Sequence, residues 1–200
     1  MTFPAIPCPA SGTMPESYSP TRVSVSHSLK RQVRSGNAQQ WSFKLNWENL
    51  DRRESGILAA FANSQRGQYG AFEIGLPGAF KNSAANPTGT PMLAGAASAG
   101  AQTLNTDGWA VNKTVLKAGD FLRLASGTKL YQVTADVVSN ASGVATVPIF
   151  PQLYAAAADN AVLVVNNVTM LAQLKDDRTA YPLSHPLLVS ASFEFVEVLP

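Results

Sequence analysis

At 200 residues the chain is long enough for one large domain or two small ones, each with its own core. Apolar residues make up 46% and charged residues only 14%, against about 25% charged in ordinary soluble domains, so little desolvation opposes burying this surface against other protein. The net charge of +2 excludes a strong field for nucleic acid or acidic membrane, the single Cys8 excludes an internal disulfide and fits a reducing cytoplasm, and no apolar run is long enough to insert in a bilayer.

Residues 1–20 contain Pro4, Pro7, Pro9, Pro15 and Pro20, which remove backbone donors and forbid helix. They lack the basic start and apolar core of a signal peptide. The segment reads as an extended N-terminal arm, either disordered or laid over a neighbour, with Phe3, Ile6 and Met14 as anchors favouring the second. Arg22–Ser26 alternates apolar and polar residues, as a half-buried strand does. Lys30–Asn37 is polar and basic and predicts the turn end of a long hairpin, with Gly36-Asn37 supplying positive φ.

Trp41–Trp47 alternates again, with Trp41, Phe43 and Trp47 on one face, which predicts a strand interior rather than a stacking platform. The period then changes. Leu50, Ile57, Leu58 and Phe61 share a helical face, and Asp51 followed by Glu54 fits a capping box, so a helix spans about 51–65 with Gly67 as its left-handed end. Phe72, Ile74 and Leu76 mark a third strand, closed by Leu76-Pro77-Gly78.

Residues 79–104 are rich in Ala, Gly, Asn, Ser, Thr and Pro and read as a linker. A fresh set of strands follows over 105–174. Gly119–Leu124 turns through Ala125–Thr128 into Lys129–Val133, a hairpin. Ser139–Gly143 is a second turn before Val144–Val147. Pro148 and Pro151 confine what comes next to an edge or loop. Ala161–Val165 reads as a strand buried on both faces, and Val168–Leu174 as another. In the last stretch, Leu187–Val198, Val189, Ala191, Phe193 and Phe195 alternate with polar residues much as Trp41–Trp47 does.

The fold class is therefore mainly β. Residues 21–78 and 180–200 make a β-sandwich with one short α-helix, and 105–174 make a small β-barrel or sandwich inserted into it. One continuous sandwich with a long loop is the alternative, disfavoured because structureless loops beyond about 15 residues are uncommon within a domain.

No chemistry-bearing motif emerges, so no catalytic, metal or cofactor-binding residue is predicted. His27 and His185 are the only histidines, and His27 with a serine beside it and Asp51 lacks a nucleophile-elbow setting. His185 before Pro186 reads as a turn residue. Asp176-Asp177 reads as a solvated pair, without Cys/His or EF-hand spacing around it. The glycines at 89, 95 and 100 lack the lysine of a phosphate loop. Two residue sets remain as contact candidates. Lys30, Arg31 and Arg34 suit an oligomer interface, by pairing with acids of an adjacent molecule, or face passing DNA, or form a solvated hairpin tip. Trp109, Tyr131 and Tyr154 are candidate carbohydrate contacts of the inserted domain, with a core role the more ordinary use of such rings.

The run Ser19–Arg34, the aromatic strand Gln40-Trp41-Ser42-Phe43 and the turn Gln65-Arg66-Gly67-Gln68-Tyr69 together resemble a phage tail family. Ala118–Phe121, Tyr131–Val137 and Gly143–Val147 look like a small β module recurrent in tail proteins. These stretches cover about two thirds of the chain. The nearest architecture is the distal tail protein of long-tailed phages. The resemblance implies a β-sandwich with a helix that forms a hexameric ring at the end of the tail tube, with the inserted domain projecting outward. It implies partners in the tail tube protein and the hub or fibre proteins, a channel for DNA, and a place in the virion at the tail tip after assembly in the host cytoplasm. Many members of the family are larger, which leaves another minor tail protein or the tube subunit as alternatives.

Overall fold

The computed structural model describes residues 2–4, 8–36, 38–76, 89–184 and 188–199. The readings at Ile6, Asn37, Pro77-Gly78 and His185 lie outside them. The chain is mainly β, with one α-helix among the described residues. In order the elements are β1 (Ser11–Gly12), β2 (Glu16–Tyr18), β3 (Thr21–Val25), β4 (Arg31–Ser35), β5 (Gln40–Leu50), α1 (Arg52–Gln65), a 3-10 turn at Gly67–Tyr69 and β6 (Phe72–Gly75). Then come β7 (Gly89–Leu93), β8 (Thr103–Trp109), β9 (Thr114–Leu116), β10 (Phe121–Leu124), β11 (Tyr131–Val133), β12 (Val137–Val138) and β13 (Ala145–Phe150). The last are β14 (Leu163–Val164), β15 (Thr169–Leu174), β16 (Leu183–Ser184) and β17 (Leu188–Glu197). Two compact units result, Met1–Glu73 with Ala172–Val198, and Ile74–Leu171 with Leu199–Pro200.

The first unit is organised by β5 and β17. They pair antiparallel with Phe43 opposite Phe195 and Leu45 opposite Phe193, within a sheet ordered β1-β5-β17-β15-β6. Alternation places Trp41, Phe43, Leu45 and Trp47 of β5 and Ala191, Phe193 and Phe195 of β17 on the buried face. Helix α1 packs on β5 and β17, with Leu58, Phe61 and Ala62 buried. Ile57 was expected on that face but is 39% exposed, because at 100° per residue it lies at the margin of the stripe centred on Leu58, Phe61 and Ala62.

The capping box forms as expected. The Glu54 N–H donates to Asp51 Oδ1 at 2.7 Å, and the Asp51 N–H donates to Glu54 Oε2 at 3.1 Å. Arg66, not Gly67, is the first residue in the left-handed region (φ 54), and Gly67 follows at φ 67.

The arm covers its own chain. Thr2 bridges Glu73, the Phe3 N–H donates to the Glu73 carbonyl at 2.8 Å, and β1 and β2 both pair with β5. The Phe3 ring enters the aromatic core, 5.1 Å from Phe61 edge-on and 5.9 Å from Trp47 stacked. Backbone pairing on the free edge of β5 and burial of one aromatic ring together offset the ordering of a proline-stiffened segment, whose entropy cost is already reduced.

The hairpin turn differs from expectation. β3 pairs with β4, so Arg31–Ser35 is a strand and not a turn. The turn lies at Ser26–Lys30. Ser26 closes it: its hydroxyl accepts from the Lys30 N–H at 3.2 Å, its carbonyl accepts from the Leu29 N–H at 2.9 Å, and Leu29 takes the positive φ of 59. Gly36 is at the base, where its N–H donates to the Pro20 carbonyl at 2.8 Å.

The second unit is a six-stranded sheet ordered β14-β10-β11-β13-β8-β7 with a β9-β12 ribbon. Its core includes Leu93, Leu104, Leu116, Leu122, Val133, Val147 and Leu163. The linker reading fails over 89–104. β7 and β8 are strands of this sheet, Ala97 bridges Ala157, and the Gly100 N–H donates to the Leu153 carbonyl at 2.8 Å. Small residues pack backbone close to backbone there, so few large side chains are needed.

Pro148 lies within β13, which has β8 on one side and β11 on the other. The Pro148 carbonyl accepts from the Thr134 N–H at 3.1 Å, just past the end of β11, so its missing donor falls where the neighbouring strand has ended. Ala161–Val165 is buried on one face only, since Val162 is 39% exposed.

Candidate functional site

The β3–β4 hairpin is the feature that packing within the chain does not explain. Every described side chain from Thr21 to Arg34 is exposed. Val23, Val25 and Val33 are 53%, 57% and 50% exposed, and Leu29 at the tip is 84% exposed. Val23 stands directly opposite Val33, and Val25 opposite Arg31. Period two therefore puts Val23, Val25, Val33 and Arg31 on one face, and Arg22, Ser24, Gln32 and Arg34 on the other.

An isolated two-stranded ribbon is marginal in water. Here it also carries two arginines, Arg22 and Arg34, directly opposite each other, a pairing that repels. A ribbon of this kind gains most when one face is covered.

Of the predicted contact residues, Lys30 lies in the turn and Arg31 and Arg34 on opposite faces of β4. They belong to one hairpin but do not form one patch. The alternating valines were legible as strand, yet nothing in sequence showed that they stay uncovered. Arg22 was missed because its position opposite Arg34 depends on where the turn falls. His27 lies in the exposed turn, and its neighbours Ser26 and Ser28 bond each other at 3.0 Å.

The candidate carbohydrate contacts do not gather. Trp109 is buried, its indole Nε1–H donating to Thr106 Oγ1 at 2.8 Å. Tyr131 is buried too, and its hydroxyl accepts from the Tyr154 N–H at 3.1 Å. Both rings fill the core of the second unit, so neither offers a face to a sugar. Only Tyr154 is exposed.

Asp177 is not simply solvated, because its Oδ1 accepts from the Gln68 N–H at 2.9 Å and ties the 175–178 segment to the end of α1. Among the described residues no three His, Cys, Asp or Glu side chains gather as metal ligands would.

The outward face of the first sheet carries a groove of about 370 Å³ beside β2, lined by Glu16, Tyr18, Gln40, Lys175, Glu194 and Val196 among others. The Lys175 ammonium is hydrogen-bonded and ion-paired to Glu194. That bond, followed by the field of Glu194 and lesser ones of Asp176 and Glu16, holds Lys175 above the usual lysine pKa. No helix among the described residues is long and apolar enough to cross a membrane. No protein-family model matches the chain, and no curated protein matches it significantly.

Proposed function

We propose that the chain is a structural subunit that assembles with copies of itself, as the distal tail proteins it resembles do, into a ring of about six at the end of a phage tail tube. In this reading the ring joins the tube to hub and fibre proteins, leaves a channel for DNA and carries no catalytic centre. The observation that supports it is the uncovered hairpin. Three half-exposed valines on one ribbon face, each worth about 1 kcal/mol when the rest of its surface is buried, reward contact with another molecule. The ion-poor composition lowers the desolvation cost of that contact. A contact between two different patches of one chain repeats by rotation, and where that rotation closes it gives a ring rather than an open filament.

The experiment is a double substitution, Val23→Glu with Val33→Glu, followed by multi-angle light scattering and circular dichroism. Both side chains lie outside the core, so the fold and its melting stay as in the parent. Assembled species are lost. A variant that keeps the parent's oligomeric mass would overturn the role of the hairpin.

A further inference from the structure

An assembling hairpin needs a receiving surface. Its residues 21–36 hold four of the chain's fifteen cations and none of its thirteen acids, so the remainder of the chain is net negative. The groove beside β2 matches one hairpin face in both charge and character. It holds two carboxylates, Glu16 and Glu194, against the single ammonium of Lys175, which Glu194 already engages. Tyr18, 68% exposed, and Val196 give it an apolar side. The hairpin face with Val23, Val25 and Val33 carries one cation, Arg31, directly opposite Val25. An apolar strip with one positive charge thus faces an apolar rim with one surplus negative charge.

We propose that this groove receives the hairpin of an adjacent copy, with Val23 and Val33 against Tyr18 and Val196 and the Arg31 guanidinium on the Glu16 carboxylate. Hairpin and groove are different patches, so the contact runs head to tail. It leaves Arg22 and Arg34 on the uncovered face of the ribbon.

This inference rests on the self-assembly reading, and a charge swap separates the two. Arg31→Glu and Glu16→Arg are each made in the full chain, then combined. Both residues are exposed, so each variant keeps the parent's melting curve. Each single substitution raises the protein concentration needed for assembly by at least about tenfold, because the reversed charge meets a like charge across the contact. The double variant returns most of the loss. If the double variant assembles no better than the worse single one, or if neither single variant changes assembly while the valine double variant abolishes it, the groove is not the receiver and self-assembly still stands. If the valine variant also assembles normally, both readings fall.

Discussion

Tyr181 carries an unmet hydrogen-bonding demand. Its hydroxyl has no hydrogen-bond partner among the described residues, and its ring lies edge-on to Phe193 at 6.2 Å. Burial raises its pKa above the ordinary value of 10.0. A raised folded-state value means the neutral phenol is favoured in the folded chain. The associated stability is complete below the unfolded value and is lost as pH rises through the folded one. Tyr181→Phe removes the unsatisfied oxygen and the titration together. Urea unfolding near neutrality is expected to show it neutral or stabilised by up to about 1 kcal/mol. Above pH 10 the parent loses stability more steeply than the variant; equal slopes would show that the hydroxyl is solvated. At the same scale, Trp109 and Tyr131 show why ring type alone does not mark a binding residue. Each has a polar atom satisfied inside the core, the Trp109 indole by Thr106 of the same strand and the Tyr131 hydroxyl by the Tyr154 N–H brought in from a distant segment.

The end of α1 shows how an element can depend on a distant segment. Gly67 has φ +67, and a Cβ there would lie 2.4 Å from Asp177 Oδ1 and 2.8 Å from Asp177 Cα. Gly67→Ala therefore meets backbone strain and a collision with the loop whose carboxylate caps Gln68. It is expected to cost about 2 kcal/mol in urea unfolding. A change within about 0.5 kcal/mol, the usual range for surface substitutions, would mean that the loop swings clear. Elements with one wet and one dry face were legible beforehand. Trp41–Trp47 and Phe193–Phe195 announce their strands by alternation, and Asp51 with Glu54 announces the helix start. What escaped depends on partners remote in sequence. The hairpin turn falls at Ser26–Lys30 because Ser26 binds the backbone of Leu29 and Lys30 across it, while Gly36 takes the base beside Pro20. Residues 89–104 looked like linker because their packing uses alanine and glycine against 153–161, a complementarity that composition does not display. Pro148 and Pro151 suggest an edge or loop after them, yet Pro148 sits inside β13, because β11 beside it ends first.

For the whole molecule, the described surface combines few charges with one ribbon left uncovered on both faces. The first unit closes its own core with α1 and Phe3, so the ribbon is surplus to its folding. The second unit has a separate core of its own. The candidate site is thus half legible in the sequence: Lys30, Arg31 and Arg34 stand out as charges, but the valine strip beside Arg31 and the Glu16 groove emerge only from register and burial. Self-association is the property on which the functional reading depends. Native mass spectrometry of the purified chain across a range of concentrations, with negative-stain imaging of the same samples, tests it most directly. The account predicts a closed species at about six times the 21.2 kDa protomer mass, seen as an annulus. A lone 21.2 kDa protomer at every concentration would contradict it.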